Sequence, residues 1–152
     1  MTDNPLILQG TVTQGHGVAS GQSRVSPYTG GSLRLQLPHF QERGISLEDF
    51  YLGTINVDIS PRRFELIDWN HEAKQVQWTD LIPAEDFFFS RCEIQHGKQL
   101  EEALIYYPSP MTKVENFHNP NIVEILAPEM EDLKYGDSIK LFLNPNHCKI
   151  RY

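Results

Sequence analysis

Apolar and polar residues alternate along many short stretches of this chain, a pattern typical of strands that bury one face. The clearest stretch is 51–59, in which three apolar residues alternate with Thr54, Asn56 and Asp58. The apolar set is expected to face a core, which leaves a hydroxyl, an amide and a carboxylate in a row on the opposite face. The same pattern also describes an ordinary half-buried strand with a polar outer face.

Similar alternation predicts further strands along the rest of the chain, with 64–69 and 73–79 joined as neighbours. The predicted strands are 6–13, 31–37, 51–59, 64–69, 73–79, 87–94, 99–107, 122–128 and 138–143. Short helical turns are predicted over 38–43, where Gly44 ends the turn, and over 46–50 and 129–134. At least six short strands with short helices predict a mainly β fold, a small closed β-barrel. No repeat or linker divides the chain, so a single domain over 1–152 is expected.

The charge balance and the cysteines indicate which partners and which cellular compartment to expect. Thirteen Lys and Arg against 20 Asp and Glu give a net charge of −7 without a basic stripe, which disfavours nucleic-acid binding. Cys92 and Cys148 lack metal-site spacing and fit free thiols in a reducing compartment. The first residues lack a secretory pattern and no apolar run has bilayer length. We therefore expect a cytoplasmic protein that does not contact a membrane.

Two stretches carry candidate binding chemistry. The segment after the first predicted strand contains Gly15, Gly17 and Gly21, and the backbone N–H groups of such a loop can form a concavity for phosphate. It is not a P-loop, and a flexible hairpin loop is the alternative interpretation. The oxygen-bearing side chains of Thr54, Asn56 and Asp58 are hard donors that suit Mg²⁺.

Four segments in the same order resemble the archaeal-type CTP-dependent riboflavin kinases, over roughly residues 10–143. The four segments are Gly10-x-Val12-x-x-Gly15-x-Gly17, Gly53-Thr54-Ile55-Asn56, Ile122-Val123-Glu124-Ile125-Leu126-Ala127-Pro128 and Tyr135-Gly136-Asp137-Ser138-Ile139. The resemblance implies a six-stranded cradle-loop barrel of the RIFT type. It also implies phosphoryl transfer from CTP to the 5′-hydroxyl of riboflavin, which gives FMN.

The resemblance also implies roles for individual residues. Thr54 and Asn56 would hold Mg²⁺, and Glu124 would be the catalytic group that meets the ribityl chain of the flavin near the attacking hydroxyl. The implied nucleotide-binding residues are Gly15, His16, Gly17, Val18, Ala19, Glu129, Met130, Glu131 and Asp132. Phosphoryl transfer depends mainly on positioning and charge neutralisation, which backbone N–H groups and a cation can supply. A nearby carboxylate can orient the hydroxyl or accept its proton.

The chain departs from the family pattern on the ligand side. Ala19 replaces a common glycine, Asp58 stands where a basic or neutral residue is expected, and Asn116 occupies the position of a flavin-contacting threonine. The segment 108–121 is longer, and Thr112 within it is predicted to supply the missing hydroxyl for flavin binding. A second hypothesis is therefore a non-catalytic barrel that binds a nucleotide or flavin, or a partner protein. A third is a kinase for another alcohol.

Overall fold

The computed structural model describes residues 4–13, 28–29, 33–80, 83–109, 119–130 and 132–152. Within these ranges the chain forms ten strands and one helix. They are β1 (Leu6–Thr13), β2 (Tyr28–Thr29), α1 (Leu33–Glu42), β3 (Thr54–Asp58), β4 (Arg63–Leu66), β5 (His71–Val76), β6 (Glu85–His96), β7 (Gln99–Pro108), β8 (Ile122–Leu126), β9 (Ser138–Leu143) and β10 (Cys148–Arg151). No helix in the described ranges is both long and apolar enough to cross a membrane.

Six antiparallel strands form a closed barrel in the order β1-β9-β6-β7-β8-β3, and β3 pairs back onto β1. Closure satisfies the backbone groups of both edges, which an open sheet would expose. The predicted mainly β, closed six-stranded barrel is thereby confirmed.

The inward faces of these strands form the barrel core. Ile55 and Val57 of β3 pack with Val123 and Ile125 of β8, and all four are fully buried. Gly10 on β1 lies against the backbone at the end of β3. A Cβ atom there would lie 2.5 Å from a methyl carbon of Val57 and 2.8 Å from the carbonyl oxygen of Asp58. This close approach explains the glycine at the start of the first family-like segment.

A second apolar cluster covers the outer face of the barrel where α1 packs. Phe40 of the helix is fully buried, and its ring meets the rings of Phe87 and Phe89 edge-on, with both centroids at 5.2 Å. The helix ends at Glu42 within the predicted region, and Gly44 in the turn that follows has a φ of +79° that suits glycine.

The predicted strand over 31–37 is wrong, since the chain is helical from Leu33 onward. Leu33, Leu35 and Leu37 alternate as in a strand, but Leu33, Gln36 and Phe40 also recur at helical spacing. Those three are the buried residues of α1, so packing against the sheet selects the helical periodicity.

Two other local predictions differ from the structure. The strands β4 and β5 were expected to be neighbours, but they do not pair with each other. Strand β5 pairs with β6, and β4 pairs with β10, a strand that was not predicted. The described part of 129–134 is not helical. Turns at Gly97, between β6 and β7, and at Gly136, before β9, each contain a glycine with positive φ.

Candidate functional site

Three oxygen-bearing side chains meet on the outer face of β3 and β8. Asn56 lies directly opposite Glu124 in the ladder, so both side chains point to the same side of the sheet. Thr54 lies two residues before Asn56 on that face, and its hydroxyl donates a long hydrogen bond of 3.4 Å to Oε1 of Glu124. The two predicted metal ligands and the predicted catalytic carboxylate are thus neighbours.

This polar face of β3 is largely covered. Thr54 and Asn56 are each 3% exposed, and Glu124 is half-buried. An ordinary strand with a solvated polar face does not describe these positions. Asp58 is engaged elsewhere, because its carboxylate accepts hydrogen bonds from the backbone N–H (2.8 Å) and hydroxyl (2.6 Å) of Ser60.

The segment that contains the glycines begins and ends beside Asn56. Thr13, the last residue of β1, is the ladder partner of Asn56, and Tyr28, the first residue of β2, is the partner of Ile55. Strand β8 pairs with one edge of β3. Strands β1 and β2 therefore lie one after the other along the opposite edge of β3. Strand β1 therefore ends, and strand β2 begins, next to the polar cluster.

Several predicted site residues lie outside the described residues. They are Gly15, His16, Gly17, Val18, Ala19, Thr112, Asn116 and Glu131.

The segment after β8 runs past the Thr54 end of β3. The backbone N–H of Tyr51 donates to the carbonyl oxygen of Ala127 at 2.9 Å. Glu129 and Asp132, predicted to contact the nucleotide, are exposed. Met130 was predicted with them, but it is 1% exposed and packs in the barrel core, so its side chain serves the fold.

Two polar residues that sequence reasoning missed lie next to the cluster. Ile105 of β7 is the ladder partner of Ile125 of β8, and the two strands are antiparallel. The next residue of β7, Tyr106, therefore lies beside Glu124. Its hydroxyl donates a 2.6 Å hydrogen bond to Oε1 of Gln36 on α1. Burial, and then the negative charges of Glu124 and Glu85, raise the pKa of Tyr106 well above its ordinary value. The sequence contained one signal for this pair, because Gln36 is a polar residue on the otherwise apolar buried face of α1.

The donor set fits a hard divalent cation. The hydroxyl of Thr54 and the amide oxygen of Asn56 are ligands that Mg²⁺ accepts together with water and phosphate oxygens. Within the described ranges, no group of three or more His, Cys, Asp or Glu side chains is placed to hold a metal ion. A cation at this cluster would therefore rely on the neutral oxygens of Thr54 and Asn56, with Glu124 as the neighbouring carboxylate.

Comparisons of the sequence with protein-family models and with curated proteins found no match. The interpretation of the site therefore rests on the residues of this chain and on the resemblance described above.

Proposed function

We propose that this protein is a Mg²⁺-dependent kinase that transfers a phosphoryl group from CTP to the 5′-hydroxyl of riboflavin and forms FMN. One observation carries the proposal. Glu124 meets Thr54 and Asn56 where β1 ends and β2 begins. The resemblance assigns Thr54 and Asn56 to the metal and Glu124 to the acceptor. These three residues thus lie beside the two strand ends that flank the segment assigned to phosphate.

Each group has a role that its chemistry supports. Thr54 and Asn56 hold the cation, which when bound neutralises charge on the phosphate oxygens. The backbone N–H groups of the glycine segment bind the phosphates. Glu124 orients the acceptor hydroxyl and takes its proton as the new phosphate ester bond forms, while the bond from the γ-phosphorus of CTP to the bridging oxygen breaks and CDP leaves. The low exposure of Thr54 and Asn56 strengthens these electrostatic interactions, because little water screens them.

The direct test is FMN formation. Purified protein is incubated with riboflavin, Mg²⁺ and each nucleoside triphosphate in turn, and the products are separated by chromatography. We expect FMN with CTP, and much less after Glu124→Gln, which keeps the shape but removes the charge. The matched control is Glu102→Gln, an exposed carboxylate on β7. No FMN with any nucleotide would contradict the proposal.

The second candidate is a barrel that binds a flavin or a nucleotide without catalysis. The departures from the family pattern on the ligand side, Ala19 and Asn116, favour it. Calorimetric titrations with CTP, ATP, riboflavin and FMN separate the two. Tight FMN binding without nucleotide binding would support this candidate, whereas binding of both CTP and riboflavin would support the kinase.

A further inference from the structure

Glu124 stands in a row of side chains that crosses the outer face of the barrel. Its ladder partner on β3 is Asn56, and on its other side the register brings Tyr106 of β7 alongside. Neighbours in such a row have Cβ atoms about 5 Å apart, so they limit each other's rotamers. The side chain of Glu124 is therefore confined between an amide and an aromatic ring.

The ring of Tyr106 is itself fixed on several sides. Tyr106 is 8% exposed, and its ring centroid lies 5.7 Å from that of Phe87 and 6.1 Å from that of Phe89. Its hydroxyl donates to Oε1 of Gln36, which is 2% exposed. These contacts connect α1 to the residue beside Glu124.

The Tyr106–Gln36 pair is an unexpected element of an otherwise apolar cluster. A phenylalanine and a leucine would fill the same space, and replacing both partners of a buried hydrogen bond is often nearly neutral for stability. Packing of α1 alone therefore does not require a hydroxyl and an amide at these positions. What the hydrogen bond adds is a fixed position of the tyrosine ring.

We propose that Tyr106, held by Gln36, is a positioning residue that keeps the Glu124 carboxylate aimed at the acceptor hydroxyl. This inference rests on the proposed kinase function. Tyr106 does not exchange a proton with the substrate; it restricts the side chain that does. Helix α1 thereby supports the geometry of the site as well as the fold.

The test compares three variants in the FMN assay and in thermal unfolding. Tyr106→Phe and Gln36→Leu each leave one buried polar group without its partner, and both should lower Tm. The double variant Tyr106→Phe/Gln36→Leu removes both polar groups and should recover Tm. We expect its kcat to stay reduced roughly tenfold, because the ring is no longer fixed, while KM for CTP is unchanged.

The control is Tyr107→Phe, a neighbouring tyrosine whose side chain faces the barrel core. It should change Tm and leave kcat as in the wild type. A double variant with both Tm and kcat restored would overturn the positioning role and leave the kinase proposal intact. A wild-type protein that forms no FMN would overturn the kinase proposal and the positioning role with it.

Discussion

The hydroxyl of Thr54 lies 3.4 Å from a carboxylate oxygen of Glu124, although 70 residues separate the two in the chain. The contact exists because β3 and β8 are adjacent in the barrel and Asn56 is the ladder partner of Glu124. Residues from two distant segments thus form one polar cluster on a rigid sheet, which is the kind of support a binding or catalytic site requires.

Replacing Thr54 with valine keeps the shape of the side chain and removes its hydroxyl. We expect kcat/KM for FMN formation to fall about 100-fold, comparable to the loss of one electrostatic group in other active sites. The circular dichroism spectrum should not change. Thr11→Val, at an exposed position of β1, should retain full activity. Equal activity of the two variants would argue against a role for the Thr54 hydroxyl.

Phe40 is expected to be the main anchor of α1. Its ring is fully buried between Phe87 and Phe89, so Phe40→Ala should lower the free energy of unfolding by about 3–5 kcal/mol. Leu35→Ala, on the exposed side of the same helix, should change it by less than about 0.5 kcal/mol. Chemical denaturation followed by fluorescence measures both. A small effect at Phe40 would mean that the helix is not held by this contact.

Gly10 is expected to tolerate no side chain. The added methyl group of Gly10→Ala would meet the carbonyl oxygen of Asp58 at 2.8 Å, and backbone cannot move away without loosening the β1–β3 pairing. We expect a loss of about 1–3 kcal/mol in denaturant titrations. The comparison is Gly97→Asn, where nothing lies within 4 Å and asparagine accepts the positive φ. That variant should stay within about 0.5 kcal/mol of the wild type.

The two buried thiols predict a loss of stability at high pH. Burial raises the pKa of Cys148 to about 12, and burial together with the charges of Cys148 and Glu93 raises the pKa of Cys92. Above the ordinary value of 9.0 the unfolded chain releases these protons while the folded protein keeps them. The free energy of unfolding should therefore fall as pH rises above 9, by up to about 1.4 kcal/mol per pH unit for each thiol.

Denaturation curves at pH 7 to 10 test this expectation. Below pH 9 both states hold the protons, so the thiols should add no pH dependence there. Cys148→Ala removes one titrating group, so its stability should decline less steeply above pH 9 than that of the wild type. Identical slopes would show that the Cys148 proton is not retained on folding.

The barrel was predictable because its strands bury one face, which produces a period-2 pattern in the sequence. The second half of helix α1 lies in the predicted helical turns over 38–43, but its first half was not predicted, since Leu33, Leu35 and Leu37 satisfy the strand pattern as well as the helical one. Only contact with Phe87 and Phe89 selects between them. The pairing of β4 with β10 depends on tertiary contacts that no local pattern encodes.

The site was predictable in part. The alternation in β3 put Thr54 and Asn56 on one face, but their meeting with Glu124 follows from strand order and register. Burial of both residues was not expected from a polar face. Tyr106 and Gln36 were missed because each belongs to a segment that is otherwise apolar, and their hydrogen bond joins a helix to a sheet.

The in-line arrangement of β1 and β2 has a consequence for the edge of β3. Thr13 and Tyr28 pair with consecutive residues of β3, so the hydrogen-bond ladder continues from one strand to the other. Two separate stretches of the chain therefore share one template, and a slip in the register of either would open a gap in the ladder at Asn56 or Ile55.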